Sequence, residues 1–203
     1  GLGDVYKRQE LNTRYTFLDE QRTDLREAKA TLEQIIQEMD QEVKDRFKAT
    51  FHAVQGHFTE VFKSLFDGGE AELRLTDDDY LSAGVEIVVQ PPGKKLQHLS
   101  LLSGGERALS AIALLFAILK VRSAPFVILD EVEAALDEAN VIRYAQYLRQ
   151  LSEQTQFIVI THRKGTMEYS DRLYGVTMQE SGVSKLVSVN LNTIDEVMEE
   201  EQT

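Results

Sequence analysis

Residues 99–137 constrain the fold of this chain more than any other stretch. A Ser-Gly-Gly-Glu turn at residues 103–106 opens an almost wholly apolar helix, and a short apolar strand at residues 126–129 then ends in Asp130 and Glu131. A strand that ends in adjacent carboxylates suits metal-assisted phosphoryl transfer, because one carboxylate can hold Mg²⁺ while its neighbour orients or deprotonates the attacking water. The turn offers a hydroxyl, unobstructed backbone N–H groups and the positive end of a helix dipole, which suit a phosphate. The stretch therefore predicts a pair of catalytic carboxylates and a phosphate-binding turn, two parts of a site that acts on a nucleotide.

The sequence has no loop of the kind that cradles the phosphates of a nucleotide. Such a P-loop reads G-x-x-x-x-G-K-[ST], and its lysine reaches the terminal phosphates. The single Gly-Lys pair is Gly93-Lys94. Val88 stands where the first glycine is required, and Lys95 stands where Ser or Thr is required. The chain thus carries candidate catalytic carboxylates and a phosphate-facing turn, but nothing to hold the nucleotide itself.

The charge balance limits how the chain could contact nucleic acid. The formal net charge is −12 at pH 7, which argues against a free-standing binder that works by bulk charge. Any DNA contact would need a larger assembly or a local patch, for which Lys44, Arg46 and Lys48 are the best candidates. A charge cluster on a long helix is more often a solvated face.

Cysteine content excludes disulfides and thiolate metal sites, and hydropathy argues against a membrane-spanning helix. The chain contains no cysteine, so disulfides and thiolate metal sites are excluded, which fits a reducing cytoplasm. The longest apolar run, residues 111–119, is far shorter than the roughly 20 residues needed to cross a bilayer and is better interpreted as a buried helix. We expect no signal peptide and no membrane association.

A heptad pattern predicts a long helix at the start of the chain. Apolar residues recur at every seventh position: Leu11, Leu18, Leu25, Leu32 and Met39. This spacing predicts one strand of a coiled coil whose partner strand lies elsewhere, the alternative being an amphipathic helix packed on its own domain. The absence of Gly and Pro from residues 11–55 favours a rod of roughly 60 Å at 1.5 Å per residue. An aromatic stripe over residues 47–65 then predicts entry into a globular core, and residues 67–69 a break.

A strand–helix–strand unit predicts where the polar residues meet. Apolar strands at residues 126–129 and 157–160 flank a predicted helix over Glu138–Leu151. Such a unit crosses over right-handed and keeps its strands parallel and buried, so their carboxyl ends share one sheet edge. We therefore expect Asp130, Glu131 and His162 to converge there.

Each of these features also has an ordinary structural explanation. Ser103-x-x-Glu106 is a capping box, a common way to begin a helix. Asp130 and Glu131 could be solvated acids at a strand end, and His162 a surface histidine. The twin glycines favour the phosphate interpretation, because a helix cap needs no glycine whereas a close approach of backbone to phosphate does.

The remaining segments give simpler expectations. Strands are predicted at residues 72–76, 85–89, 173–178 and 184–190. We interpret Glu133 and Glu138 as helix-start acids favoured by the dipole, and we assign no role to Arg163, Lys164 or Lys185. The acidic tail over residues 195–203 is expected to fray.

Four short motifs resemble those of ATP-binding-cassette (ABC) ATPases. Leu-Ser-Gly-Gly-Glu at residues 102–106 is similar to their signature motif, and Phe-Val-Ile-Leu-Asp-Glu at residues 126–131 to their Walker B strand. Ala-Ala-Leu-Asp at residues 134–137 resembles the D-loop, and Thr161-His162 resembles the segment that carries the switch histidine.

A longer part of the sequence resembles the bacterial SMC (structural maintenance of chromosomes) family. The similarity is densest at residues 90–95, 133–140 and 161–168, and it extends from near Arg14 to about Leu191. It covers only the C-terminal part of an SMC protein. The ordered series of motifs at coherent spacing makes this resemblance highly specific.

The resemblance implies an α/β fold and a division of the chain. It implies the C-terminal lobe of an ABC-type ATPase head, with a parallel β-sheet and flanking helices, joined to a long N-terminal coiled-coil helix. Residues 1–9 would be a linker or an expression remnant, residues 10–46 the coiled-coil helix, and residues 47–203 the head lobe.

The same resemblance implies roles in ATP hydrolysis for three residues. Asp130 would help to hold Mg²⁺, chiefly through its water shell. Glu131 would be the general base for the water that attacks the γ-phosphate of ATP. His162 would contact that phosphate and steady the transition state.

Further residues would serve a second head. Ser103, Gly104 and Gly105 would face the nucleotide bound on that head, so that two ATP molecules join two heads, and Asp137 would lie at the same junction. This chain alone would show no ATPase activity, because an N-terminal lobe of the same protein supplies the P-loop.

The resemblance also implies partners and a cellular role. They are the N-terminal lobe, a second head in an ATP-dependent homodimer, a kleisin subunit bound through its C-terminal winged-helix domain, and DNA contacted by the assembled complex. The role would be chromosome condensation and segregation, in the cytoplasm with the nucleoid. Two alternatives stay open: the head lobe of another coiled-coil ABC ATPase of DNA repair, and a non-enzymatic kleisin-binding fragment.

Overall fold

The computed structural model describes residues 1–190 of the chain, the side chain of Gln179 excepted. Its helices are α1 (Leu2–Phe66), α2 (Gly104–Val121), α3 (Glu138–Leu151) and α4 (Lys164–Met167), with a 3₁₀ turn at Leu99–Leu101. Its strands are β1 (Glu70–Leu75), β2 (Val85–Gln90), β3 (Gln97–His98), β4 (Phe126–Asp130), β5 (Gln156–Ile160), β6 (Arg172–Glu180) and β7 (Val183–Asn190). The predicted fraying tail lies outside the described residues.

The first of two compact units combines residues 1–49 with residues 77–83. Helix α1 begins at Leu2, so residues 2–9 continue the same helix as the heptads. The heptad positions are exposed on its surface, Leu25 to 71%. An apolar stripe left open on a long helix is what a coiled-coil strand presents before its partner is added. The division of the chain into linker, coiled coil and head lobe stays a prediction.

Residues 77–83 of this unit contact two of the three basic residues that the sequence suggests for DNA contact. Lys44 Nζ lies 3.9 Å from a carboxylate oxygen of Asp79. Lys48 Nζ lies 5.9 Å from the centre of the Tyr80 ring. Arg46 pairs along the helix with Glu42 at 2.7 Å. All three cations are therefore engaged within their own unit, which favours a structural role for them.

The second unit holds residues 50–76 and the chain from residue 84 onwards, and it contains the aromatic core. The predicted stripe on α1 is buried from Phe51 onwards, whereas Phe47 is half-buried, and Phe58 and Phe62 are fully enclosed. On α2, Phe116 stacks on Tyr144 and Tyr147 of α3 with ring centres 6.0 and 5.5 Å apart. Within the stripe, the Phe58 and Phe62 rings meet edge to face with centres 6.2 Å apart, so the stripe belongs to a packed core.

The predicted break after α1 is confirmed. Asp67, Gly68 and Gly69 all have positive φ, which reverses the chain directly into β1. A Cβ at Gly69 would lie 2.3 Å from the carbonyl oxygen of Gln90 on β2, so only glycine fits there. The Asp-Gly-Gly sequence therefore sets the start of the first sheet.

Three small sheets lie in the described chain. Strands β1, β2 and β3 form an antiparallel sheet, β4 and β5 a parallel pair, and β6 and β7 an antiparallel hairpin. The predicted parallel pairing of the strand–helix–strand unit is confirmed, with Phe126 opposite Gln156 and Asp130 opposite Ile160. The parallel part has only two strands among residues 1–190.

The expectation that β4 and β5 are buried strands is wrong for one face of the pair. Leu129 is buried, but side chains on the opposite face are half exposed, Ile128 to 57% and Ile160 to 50%. Apolar runs predict burial, yet no element among residues 1–190 covers this face. Within the same range, no helix is long and apolar enough to span a bilayer.

Candidate functional site

The parallel strands bring the predicted catalytic residues to one sheet edge. Strand β4 ends in Asp130, and the next backbone N–H, that of Glu131, donates to the carbonyl oxygen of Ile160 at the end of β5. His162 follows β5, and its Nδ1 lies 3.5 Å from a carboxylate oxygen of Glu131. Because both side chains are more than half exposed, this pair is open to a substrate. The predicted convergence is therefore confirmed as geometry.

The backbone of Glu131 takes an uncommon conformation. Its φ is 49°, in the left-handed region that residues other than glycine rarely adopt. Such a conformation costs about 1–3 kcal/mol and persists where the surrounding structure holds it, commonly at functional sites. At this position it turns the chain out of β4 directly after Asp130, beside His162.

Asp130 fits a magnesium ion that takes most of its ligands from elsewhere. Its side chain is exposed at the end of β4. Among residues 1–190, no group of three or more His, Cys, Asp or Glu side chains could hold a metal. Mg²⁺ commonly binds through one or two carboxylates plus waters and substrate phosphates. Asp130 therefore suits one position of such an ion and not a protein-only metal cage.

The Ser-Gly-Gly turn forms the N-terminus of α2. Ser103 is the N-cap, and its Oγ accepts from the backbone N–H of Glu106 at 3.3 Å. The carboxylate of Glu106 pairs with Lys94 Nζ at 2.6 Å. This ammonium holds the pKa of Glu106 below its ordinary value. The ordinary capping role of Ser103 is therefore present, and it leaves the dipole end of α2 at the surface.

The two glycines of this turn differ in their surroundings. A Cβ at Gly104 would meet nothing within 4 Å, whereas a Cβ at Gly105 would lie 3.0 Å from the carbonyl oxygen of Ala135. Gly105 therefore lets α2 approach the loop before α3. Gly104 is instead open to the outside, as a close approach to a phosphate requires.

Asp137 is the N-cap of α3. Its Oδ1 accepts from the backbone N–H of Asn140 at 2.8 Å. Glu138 follows in the first turn, as the sequence predicts. The loop that ends at Asp137 touches the α2 turn through Ala135, so the predicted junction residues belong to neighbouring segments.

Glu133 is not the helix-start acid that the sequence suggests. Helix α3 begins only at Glu138, and Glu133 is fully buried in the loop before it. Its Oε1 accepts from the hydroxyls of Thr161, in a short hydrogen bond, and of Thr166, at 2.9 Å. One signal for burial was available, since Glu133 is the only charged residue in the apolar run 132–136.

Arg163 ties the segment after β5 to the loop before α3. Its Nη1 donates to the carbonyl oxygen of Leu136 at 2.9 Å, and its Nη2 lies 2.9 Å from a carboxylate oxygen of Glu138. The Arg163 side chain is only 15% exposed. The sequence contains no signal for these contacts, because they join segments about 27 residues apart.

The buried hydroxyl of Tyr144 adds to the polar interior near Glu133. Burial, and secondarily the negative charge of Glu133, raises the pKa of Tyr144 well above its ordinary range. Tyr144 therefore stays neutral in the folded protein at any physiological pH.

Comparison with known proteins identifies relatives of the chain. A family model described as RecF/RecN/SMC N terminal domain matches residues 5–185. The Chromosome partition protein Smc of Bacillus subtilis (strain 168) is 65% identical over 199 residues, which cover 98% of this chain and 17% of that protein. The chain thus spans a small part of the length of this relative.

Two solved structures are similar to the chain. The Smc head domain with an extended coiled coil bound to the C-terminal domain of ScpA, derived from Pyrococcus furiosus, has a TM-score of 0.79 at 40% identity, over 95% of this chain and 48% of that one. A structure from work on ATP-driven dimerization and DNA stimulated activation of SMC ATPases has a TM-score of 0.67 at 41% identity, over 79% of this chain and 98% of that one. The resemblance to SMC proteins and the expected α/β head fold are confirmed: the chain belongs to the RecF/RecN/SMC N terminal domain family.

Proposed function

We propose that this chain is the C-terminal half of an SMC ATPase head, which works in ATP-driven head engagement and in ATP hydrolysis. The observation that carries the proposal is the placement of Glu131 and His162, 3.5 Å apart beside Asp130 at one sheet edge, in a sequence that has no P-loop. A hydrolytic site that lacks its own nucleotide cradle requires a second lobe to supply one.

In the proposed mechanism, Glu131 takes a proton from the water that attacks the γ-phosphate of ATP. A carboxylate at the end of a strand can reach a water held in line with the phosphate. Since Nδ1 of His162 faces Glu131, Nε2 is left to face the phosphate in this proposal. Asp130 would help to hold Mg²⁺, which would supply neutralisation of the charge on the phosphate oxygens.

Ser103 and Gly104 face the nucleotide of a second head in this proposal. The N-terminus of a long helix favours an anion, because its backbone N–H groups and dipole point outward. The open space around Gly104 supports this role. Gly105 allows the turn to pack against the segment that ends at Asp137, so we place Asp137 at the same junction.

The missing lobe has a surface on this chain to pack against. One face of the β4–β5 pair carries half-exposed apolar side chains: Phe126, Ile128, Ile158 and Ile160. Burial of such side chains stabilises an assembly by roughly 25 cal/mol per Å² of apolar surface. We propose that the N-terminal, P-loop-bearing lobe of the same protein covers this face.

We propose the partners of the complete protein from its relatives. The Pyrococcus furiosus Smc head is bound to the C-terminal domain of ScpA, and the Bacillus subtilis relative is a chromosome partition protein. We therefore propose a kleisin-type winged-helix partner, and DNA contacted by the assembled complex during chromosome condensation and segregation. The net charge of −12 makes DNA contact a property of that assembly.

Replacement of Glu131 by glutamine in the full-length protein tests the proposal. Loss of a general base lowers kcat by on the order of 10²–10⁴-fold. ATP-dependent head dimers should persist and accumulate, since the variant still binds ATP but does not hydrolyse it. The matched control is Glu153→Gln, at an exposed carboxylate after α3. Unchanged turnover in Glu131→Gln, or a failure of its dimers to accumulate, would exclude Glu131 as the base.

A further inference from the structure

Glu133 is a buried carboxylate at the edge of the candidate site. It lies two residues after Glu131, and no part of it reaches solvent. Burial of a carboxylate is costly unless hydrogen bonds satisfy it, so the partners of Glu133 are informative. Both hydrogen bonds to its carboxylate come from side chains on the segment that follows β5, and both are accepted by Oε1.

These bonds fix the segment that carries His162. Thr161 directly precedes His162, and its hydroxyl donates to Glu133 Oε1 while accepting from the backbone N–H of Arg163 at 3.0 Å. Thr166 donates to the same oxygen, at 2.9 Å, from helix α4. We call Glu133, Thr161 and Thr166 the Glu133 latch. It holds the backbone on both sides of His162 through one acceptor atom.

Arg163 makes a second set of contacts between the segment after β5 and the loop before α3. The Arg163 guanidinium donates to the carbonyl oxygen of Leu136 and pairs with Glu138, so the segment after β5 also holds the loop before α3. The two segments therefore hold each other on either side of the Glu131–His162 pair. His162 itself is exposed and has little packing of its own to orient it.

We propose that Glu133 is a positioning residue of the ATPase. Through Thr161 it sets the orientation of His162 relative to Glu131, and it touches neither the nucleotide nor the attacking water. This inference rests on the proposed function and names a residue that this function requires. Its physical reason is that a misplacement of about 1 Å at a reacting group can cost on the order of a hundredfold in rate.

The experiment uses the full-length protein with variants that remove hydrogen-bonding groups of the Glu133 latch. Thr161→Val and Thr166→Val each delete one hydroxyl, and Glu133→Met deletes the acceptor. The control Thr155→Val deletes a hydroxyl from another buried threonine of the same unit. We expect the latch variants to lower kcat about tenfold to a hundredfold, with KM for ATP and ATP-dependent dimerisation unchanged. Thr155→Val should retain kcat within about twofold.

Conservative variants separate positioning from charge. Both threonines donate to the same oxygen, Oε1, so Glu133→Gln keeps an acceptor in place and should retain most of the turnover. Thr161→Ser keeps the hydroxyl and should restore what Thr161→Val loses. A loss in Glu133→Gln as large as that in Glu133→Met would overturn the acceptor role.

A double variant distinguishes positioning from general destabilisation. If the latch acts through His162, Thr161→Val should lower kcat no further once His162→Ala is present. Multiplicative losses, or single variants that match Thr155→Val in kcat, would overturn the inference.

Should Glu133→Met fail to fold, the kcat values of the two valine variants test the inference without it. Retention of turnover by Glu131→Gln would refute the proposed function, whereas its loss alongside fully active latch variants would refute only the latch.

Discussion

The two glycines of the Ser-Gly-Gly turn differ in the space that each leaves for a Cβ atom. A Cβ has free space at Gly104 but lies 3.0 Å from a backbone oxygen of Ala135 at Gly105. Both positions are in the first turn of α2, so alanine should improve the helix equally at each. The difference between two alanine variants therefore isolates the contact with Ala135.

Gly105→Ala should unfold more readily than Gly104→Ala. Overpacking against a backbone atom that cannot rotate away costs typically 1–3 kcal/mol, offset in part by the gain in helix propensity. We expect the free energy of unfolding of Gly105→Ala to be lower by about 1 kcal/mol or more, as measured by chemical denaturation of both variants. Equal stabilities would show that α2 does not depend on this close approach.

Ser103→Arg should separate ATP binding from head engagement. An arginine at the N-cap adds bulk and a positive charge at the place where we propose that the second head approaches, and it removes the cap of α2. In the full-length protein we expect ATP binding to persist while ATP-dependent dimers are lost, as measured by sedimentation with and without ATP. The control is Gln154→Arg, at an exposed turn. Dimers that form as in the unmodified protein would remove Ser103 from the proposed junction.

At the residue scale, prediction from sequence succeeded for the placement of residues at strand ends and failed for contacts between buried side chains. The meeting of Asp130, Glu131 and His162 could be predicted, because a parallel crossover brings strand ends to one edge. The hydrogen-bond partners of Glu133 could not, since Thr161 and Thr166 are 28 and 33 residues away.

Among the elements, the first turn of α2 forms an ion pair with the loop between β2 and β3. Lys94 of that loop pairs with Glu106 in the first helical turn, and the Glu106 side chain is only 22% exposed. The Lys94 ammonium lowers the pKa of Glu106 in the folded protein. A carboxyl with a lowered folded pKa stabilises the fold above its unfolded pKa, and this stabilisation is lost as the pH falls through the folded value.

Lys94→Met should therefore destabilise the chain near neutral pH and lose this effect in acid. We expect a deficit of at most about 1 kcal/mol in the free energy of unfolding near neutral pH, because the pair is partly exposed. The deficit should vanish once Glu106 is protonated in both proteins. Unfolding curves across this pH range check the prediction against Lys95→Met, a change at the adjacent exposed lysine. A deficit that does not depend on pH would mean that lost packing, not charge, is responsible.

The elements themselves were predictable to different degrees. Helix α3 has the predicted bounds, Glu138–Leu151, because an acidic start and a clear apolar face define it. The prediction for β1 began two residues late, at residue 72, since Glu70 pairs with Gln90 directly after the glycine turn. Strand β3 was missed, because two residues carry no periodicity.

For the molecule as a whole, open apolar surface is the feature that distinguishes this chain from a self-sufficient domain. The heptad stripe of α1 and one face of the β4–β5 pair are exposed within residues 1–190. Contiguous apolar surface of this kind marks sites of protein association. The heptad pattern predicted a partner strand elsewhere for α1, whereas the apolar runs of β4 and β5 predicted burial and did not show that one face of the pair is open.

The most direct measurement is ATP turnover by this chain alone and after co-expression with the P-loop lobe of the same protein. We predict no turnover by the chain alone, because its sequence has no P-loop to hold the β-phosphate. We predict turnover by the combined lobes that depends on Mg²⁺ and is lost in Glu131→Gln. Appreciable turnover by the isolated chain, or an inactive complex of correctly assembled lobes, would contradict the proposed division of the ATPase between two lobes.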